Sequence, residues 1–203
     1  SFTLLDLAYN STNLFTLSGT SSQGGLILTS PDGTNWTQHA PSTRLEQLYG
    51  IEYGNGSWVA VGDKGTIATS DDPRTKTWVS RTSGVTDDLK DVVYNGSNLY
   101  VVVGKGGTIL TSLDTITWTQ RASTTTYDLW GVAYDGVRYV AVGDEGVILT
   151  SGNGVTWAAA TSPTVNFRLL YDVAVGKLPQ VIDFNAQAPL YQSFAPSGSY
   201  PLS

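Results

Sequence analysis

Residue type and spacing decide which chemistry this sequence can support. Glu46, Glu52 and Glu145 are its only glutamates, and no two of them form a recognisable acid–base pair. Cleaving a glycosidic bond takes two carboxyl groups held about 5–10 Å apart. An enzyme for acidic sugars would add a cluster of arginines on the substrate carboxylate. The arginines here, Arg44, Arg74, Arg81, Arg121, Arg138 and Arg168, are dispersed instead. Arg81 and Arg121 each follow a tryptophan by three residues, and His39 holds the matching place earlier, which reads as a row of solvated rim charges. One histidine makes neither a triad nor a histidine metal site, and there is no cysteine for a thiolate. Asp87, Asp88 and Asp91 offer oxygen ligands of the kind calcium takes, but without the Asp-x-Asp-x-Asp spacing of a calcium loop. The expectation is therefore no catalytic residue, no metal and no cofactor: the chain is not an enzyme.

Contact chemistry is better represented. A leucine recurs at the start of five segments, and the residue after it changes each time: Leu5, Tyr49, Lys90, Trp130, Tyr171. Three aromatics and a lysine converging at one mouth would make a stacking surface with a polar handle, suited to a sugar or a peptide turn. The competing reading is a channel plug that serves stability. Asp63, Lys64, Lys105, Asp144 and Glu145 lie in three glycine-bounded turns that would form the rim.

The elements that position these residues follow from one stretch, Leu129 to Trp157. Gly131–Tyr134, Tyr139–Val142 and Val147–Ser151 read as strands, separated by Asp135-Gly136 and Gly143–Gly146 turns. The same phrase occurs from Leu48 to Ser70 and from Leu89 to Ser112, and in looser form from Leu4. Trp36, Trp78, Trp118 and Trp157 step by 42, 40 and 39 residues. After Trp157 the pattern persists in Leu170–Ala174 and then blurs. A period near 40 with four short strands per unit is the signature of a β-propeller blade. The prediction is an all-β propeller of five four-stranded blades forming a single domain over 1–203, with repeats near 4–44, 45–85, 86–125, 126–165 and 166–203. Phe15, Trp58, Tyr100 and Tyr139 share one repeat position and read as packing between blades. Asn55-Gly56, Asn95-Gly96 and Asp135-Gly136 are expected to be tight hairpin turns on the bottom face, together with the Ser-x-Asp turns. The starts of the innermost strands and the glycine turns fall on the top. The ring is expected to close without a strand of Ser1–Thr3 clasped into the last blade.

Composition is consistent with strands and turns: 22 glycines, 14% charged residues and 40% hydrophobics. The net charge of −6 speaks against nucleic acid and anionic membrane as partners, and no apolar run approaches membrane-spanning length. Ser1 begins on a strand-like segment with no signal peptide visible. The Asn-x-Ser/Thr sequences at Asn10, Asn35, Asn55 and Asn95 fall where a turn wants asparagine anyway.

Ser30-Pro31-Asp32-Gly33-Thr34-Asn35-Trp36 and Ser112-Leu113-Asp114-Thr115-Ile116-Thr117-Trp118 resemble Asp boxes, the hairpin motif of sialidase-type propellers. Ser151–Trp157 is similar with Asn153 in the aspartate place, and Ser70–Trp78 is two residues longer with Asp72. The unit as a whole resembles the BNR-type repeats of photosystem assembly factors and of bacterial and phage surface proteins. These boxes have seven residues where the sialidase box has eight, so the broad repeat family matches better than sialidase. The resemblance implies that the boxes are folding elements lying away from the functional face.

Two classes of function result. The first is a non-catalytic interaction module on a virion or at the cell surface: a decoration, structural or receptor-binding protein that takes a capsid, tail or surface protein, or a glycan. The second is a glycoside hydrolase with an undiagnosed site. A cytoplasmic assembly factor is a third. Contact is expected at the top face through Tyr49, Lys90, Trp130 and Tyr171, with edge-on docking by the outer strands as the rival.

Overall fold

Each of the first four units of the sequence folds as one antiparallel sheet whose strands are neighbours in both sequence and space. The structure, a computed structural model, describes residues 2–10, 13–39, 45–75, 77–160 and 169–174. The first blade consists of β1 (Phe2–Asn10), β2 (Leu14–Ser21), β3 (Gly24–Ser30) and β4 (Thr37–His39). The second holds β5 (Leu48–Gly54), β6 (Ser57–Gly62), β7 (Ile67–Ser70) and β8 (Val79–Arg81). The third holds β9 (Leu89–Tyr94), β10 (Tyr100–Gly104), β11 (Ile109–Ser112) and β12 (Thr119–Arg121). The fourth holds β13 (Leu129–Tyr134), β14 (Tyr139–Gly143), β15 (Ile148–Ser151) and β16 (Ala158–Ala159). Among the described residues the only helical pieces are single 3₁₀ turns at Asp63–Gly65 and Lys105–Gly107, so no helix can cross a membrane.

The apolar core lies between the sheets. Ala8, Ile27, Leu48 and Trp58 fill the space between the first two blades. Val59, Val61, Leu89 and Tyr100 fill the next, and Val101, Val103, Leu129 and Tyr139 the one after. Middle strands are sandwiched on both faces, which explains their unbroken apolar runs. Trp58, Tyr100 and Tyr139 are each only 1% exposed, and burying such a ring stabilises by roughly 2–3 kcal/mol. Phe15, their counterpart in the first blade, is half-buried. Trp36, Trp78, Trp118 and Trp157 each stand immediately before the outermost strand of their blade.

The innermost strands β1, β5, β9 and β13 run side by side. Each begins with a β-bulge: pairing jumps from Leu4 to Asp6, Leu48 to Gly50, Leu89 to Asp91 and Leu129 to Gly131. The residue left out of the ladder is Leu5, Tyr49, Lys90 or Trp130. A bulge bends the strand and re-aims the extra side chain, so the variable residue is turned to the mouth by the backbone itself. Facing each bulge, the second strand carries a glycine. A Cβ at Gly62, Gly104 or Gly143 would lie 1.8–2.3 Å from the carbonyl oxygen of Gln47, Asp88 or Asp128.

One expectation needs correction. Only Asn55-Gly56 is a two-residue hairpin with both φ positive, at 45° and 81°. The Asn95 and Asp135 turns are wider, because each side chain accepts N–H groups two and three residues on, at 2.7–2.9 Å, and holds the loop open. The predicted fifth unit lies mostly outside the described residues. Its Leu169–Ala174 segment runs along β13 as β9 runs along β5: a Cβ on Gly131 would meet Asp172 Cα at 2.9 Å, and one on Gly50 would meet Asp91 Cα at the same distance. At the other end Phe2 and Thr3 pair with Ser21 and Thr20 inside the first sheet, while 175–203, which bear on how the ring closes, lie outside the described residues.

Candidate binding site at the top mouth

The bulges bring Tyr49, Lys90 and Trp130 into one row, which Tyr171 extends. The Lys90 ammonium sits 3.7 Å from the centre of the Tyr49 ring and 5.3 Å from that of Trp130. On the far side of Trp130 the Tyr171 ring lies at 5.9 Å and 57°. Both contacts of Lys90 are cation–π, each about 0.5–2 kcal/mol according to solvation. Leu5, on the first blade, is apolar and 47% exposed.

The glycine turns hold this row in place. Tyr49 donates its hydroxyl to Asp63 Oδ1 at 2.5 Å, and Trp130 donates Nε1–H to Asp144 Oδ1 at 2.6 Å. Burial and the Asp63 carboxylate together push the Tyr49 phenol up, so it stays a donor. Lys105, at the same turn position in the third blade, pairs with Asp88 at 2.8 Å. Asp63, Lys105 and Asp144 are therefore positioning groups rather than free rim contacts. Lys64 and Glu145 stand at the exposed turn tips with φ of 54° and 53°, where the third blade has Gly106. A left-handed conformation costs a non-glycine residue roughly 1–2 kcal/mol. Lys64 reaches Glu46 at 3.2 Å.

Lys90 is not a free polar handle. Its Nζ pairs with Asp88 Oδ2 at 3.2 Å, and its side chain is only 7% exposed. Asp88 also accepts the Lys64 N–H from the preceding blade at 3.2 Å, a clasp repeated where Asp128 accepts the Gly106 N–H at 2.8 Å. Burial pushes the Asp88 carboxyl up, but Lys105, the Lys64 N–H and Lys90 outweigh it and hold the group at about 2. The open part of the row is Tyr171, 65% exposed, beside the half-buried rings of Trp130 and Tyr49.

The carboxylates weighed for calcium diverge. Asp88 faces the mouth, Asp87 meets Thr108 Oγ1 at 3.4 Å, and Asp91 points into the channel. Among the described residues no three acidic or histidine side chains form a metal-binding group. The four described arginines lie at the periphery. Arg81 and Arg121 donate to Thr69 and Thr111 at 2.9 and 2.8 Å, as His39 meets Thr29 at 2.8 Å. Arg74 pairs with Asp72 and Arg138 with Asp135. Box carboxylates are committed to their own turns: Asp32 Oδ1 accepts the N–H groups of Thr34 and Asn35 at 2.8 Å, and Asp114 and Asn153 repeat the pattern. Trp36, Trp118 and Trp157 donate to the carbonyl three residues back at 3.0–3.2 Å. In the longer second box the buried Trp78 N–H finds no partner among the described residues.

Column-wise reading of the sequence would have found one feature that was missed. The residue after the bulge alternates Asp6, Gly50, Asp91, Gly131, Asp172. Asp6 reaches across to the Ile51 N–H and Asp91 to the Val132 N–H, both at 2.7 Å, each bonding the next blade. With Glu52 they line a recess of about 320 Å³ inside the innermost strands. Burial, then mutual repulsion, pushes Asp91 up to about 8 and Glu52 up to about 7.

With this geometry in hand, no family model and no curated protein sequence matches the chain. Solved structures do. YCF48 bound to D1 peptide aligns at 20% identity and TM-score 0.57, over 84% of this chain and 53% of that one. YCF48 from Cyanidioschyzon merolae aligns at 20% and 0.58, over 81% and 58%. The extracellular domain of the putative hybrid two-component system BT4673 from B. thetaiotaomicron gives 12% and 0.61, over 83% and 23%. The chain is a β-propeller. It spans little more than half the length of the two YCF48 chains, and at such identities the likeness is one of fold.

Proposed function

We propose that this propeller is a non-catalytic interaction module of a virion or cell surface, which takes a segment of a partner protein at its top mouth. The observation that carries this reading is the row Tyr49–Lys90–Trp130–Tyr171, its first three members set on consecutive bulges and braced by Asp63, Asp88 and Asp144. Aromatic anchors in a braced concavity hold more binding energy than scattered polar contacts. Lys64 and Glu145 keep left-handed backbones at the rim, where glycine would be cheaper, which is the kind of local strain that accompanies function. The peptide bound by YCF48 supports a protein segment as the occupant. Engagement of the described arginines on outer strands and turns, and of the box carboxylates in their own turns, supports a binding role over hydrolysis.

A photo-crosslinking amino acid at Tyr171 is compared with one at Val79 on the outer edge of the second blade, using particles or cell envelopes from the native source. The expected result is a discrete adduct from position 171 that Trp130→Ala reduces at least tenfold. Adducts from position 79 alone, or adducts at 171 indifferent to Trp130→Ala, overturn the reading in favour of edge-on docking.

A further inference from the structure

The row at the top mouth makes two aromatic notches, and only the first holds a cation among the described residues. There the Lys90 ammonium lies 3.7 Å from the centre of the Tyr49 ring and 5.3 Å from that of Trp130, with Asp88 at 3.2 Å as its counter-charge. The second notch lies one step round the ring, where the Trp130 and Tyr171 rings stand 5.9 Å apart at 57°. Its parts are of the same kind, two rings flanked by carboxylates. Asp144 accepts the Trp130 Nε1–H at 2.6 Å, and Glu145 follows it at the turn tip. That turn is tied to the segment leading into Tyr171. Asp144 bridges to Leu169, and the Leu170 N–H donates to the Gly143 carbonyl at 3.2 Å. Among the described residues no lysine or arginine pairs with Asp144 or Glu145, and none stands over the Tyr171 ring.

Charge around the mouth has the matching sign. Lys64, Lys90 and Lys105 are engaged by Glu46 and Asp88, whereas Asp63, Asp128, Asp144 and Glu145 form no ion pair among the described residues. Glu145 is exposed and Tyr171 is 65% exposed, so both are open to a partner. The face of an aromatic ring carries negative charge density and attracts a cation placed over it. A guanidinium suits such a notch best, because it stacks on a ring while its edge donates to a carboxylate.

We infer that the Trp130–Tyr171 notch takes a basic side chain, arginine or lysine, from the partner segment, with Asp144 and Glu145 as its counter-charges. The inference rests on the reading that a protein segment occupies the top mouth, and adds the chemistry that segment presents there. Lys90, held between Tyr49 and Trp130 over Asp88, is the molecule's own example of the arrangement. An acidic segment would set like charges beside Asp144 and Glu145, which repels it.

The test is an NMR titration of the whole chain with peptides acetyl-Gly-Ser-X-Ser-Gly-amide, in which X is arginine, citrulline or glutamate. Citrulline keeps the shape of arginine without its charge. The arginine peptide should give saturable shifts of the Trp130 indole N–H, with Kd on the order of 1 mM. The citrulline peptide should bind about fivefold more weakly or worse, and the glutamate peptide not at all. Tyr171→Leu, at a position exposed enough to spare the fold, should weaken arginine binding roughly 2- to 30-fold, the range of one cation–π contact, while Tyr171→Phe retains it. The variant Asp144→Asn/Glu145→Gln keeps an acceptor for the Trp130 N–H and should weaken binding by about fivefold. Arg168 lies outside the described residues, and Arg168→Gln should leave the affinity equal or higher. No saturable shift from the arginine peptide, equal affinity for the citrulline peptide, no effect of Tyr171→Leu, or weaker binding in Arg168→Gln overturns the inference. A Trp130-dependent crosslink from position 171 together with a notch indifferent to charge would discard the basic side chain and keep the protein segment. Absence of that crosslink would overturn the reading on which the inference rests, whatever the peptides show.

Discussion

Replacing Asp88 by alanine leaves two ammonium groups without their carboxylate, and the two should respond very differently. Lys105 is 45% exposed and returns to water at little cost. Lys90 is 7% exposed and keeps only its two aromatic neighbours. Removing one partner of a buried ion pair costs roughly 3–5 kcal/mol, because the other charge stays buried. For a chain of this size each kcal/mol moves the melting temperature by about 2–4 °C, so Asp88→Ala should melt roughly 6–20 °C lower. The double variant Asp88→Ala/Lys90→Met removes the stranded charge and keeps an apolar stem between Tyr49 and Trp130. It should recover most of the loss, ending within about 1–2 kcal/mol of the parent. Urea unfolding followed by tryptophan fluorescence at pH 7 measures both. The pH course gives a second check. Asp88 titrates at about 2 when folded, below the ordinary carboxyl value near 3.9. Its contribution is therefore complete above pH 4 and is lost as pH falls towards 2. The difference between parent and Asp88→Ala should be flat from pH 5 to 7 and shrink in acid. A loss under about 1 kcal/mol, or a double variant no better than the single, would falsify the view that Lys90 is a buried charge held by Asp88.

The channel carboxyls should give the opposite pH dependence. Asp91 and Glu52, facing Asp6 and Asp172, titrate at about 8 and about 7 when folded, so between pH 4 and 8 the folded chain holds protons that the unfolded chain has released. Stability is then highest below pH 4 as far as these groups go and falls towards pH 8; a melting temperature constant from pH 5.5 to 8, or a slope that Glu52→Gln leaves unchanged, would contradict this. Gly54→Ala places a Cβ 2.3 Å from the Tyr94 ring and 2.8 Å from the Tyr100 oxygen. It should destabilise by about 3 kcal/mol or more in urea unfolding, and a change under 1 kcal/mol would show that the second junction is looser than described.

The strand pattern was legible because glycine turns and tryptophans mark each of the first four units, and the bulges hold their variable residues to the mouth at the same register. The fate of Lys90 was not legible. Its partner Asp88 comes from the link before the strand, and a lysine after a leucine looks the same whether its ammonium is solvated or paired. The bottom turns were hidden for a related reason: Asn95-Gly96 and Asn55-Gly56 share a dipeptide, and only the extra residue before Tyr100 separates a tight hairpin from a wider turn closed on the Asn95 side chain. The channel acids were in view all along in the Asp–Gly alternation. Grouping Asp91 with its sequence neighbours Asp87 and Asp88 hid its kinship with Asp6 and Asp172, half a ring away.

The bulge that opens each innermost strand has a practical corollary. Because the residue it frees makes no ladder contact with the facing strand, its identity is set apart from what makes the sheet pair, provided the facing glycine is kept. Positions 5, 49, 90 and 130 thus behave like sockets on a circuit board: their side chains can be exchanged together, in combinatorial libraries, against a frame that is left alone. A propeller of barely 200 residues without a cysteine to misoxidise would make such a library workable in a reducing cytosol, where antibody-like scaffolds that need disulfides struggle.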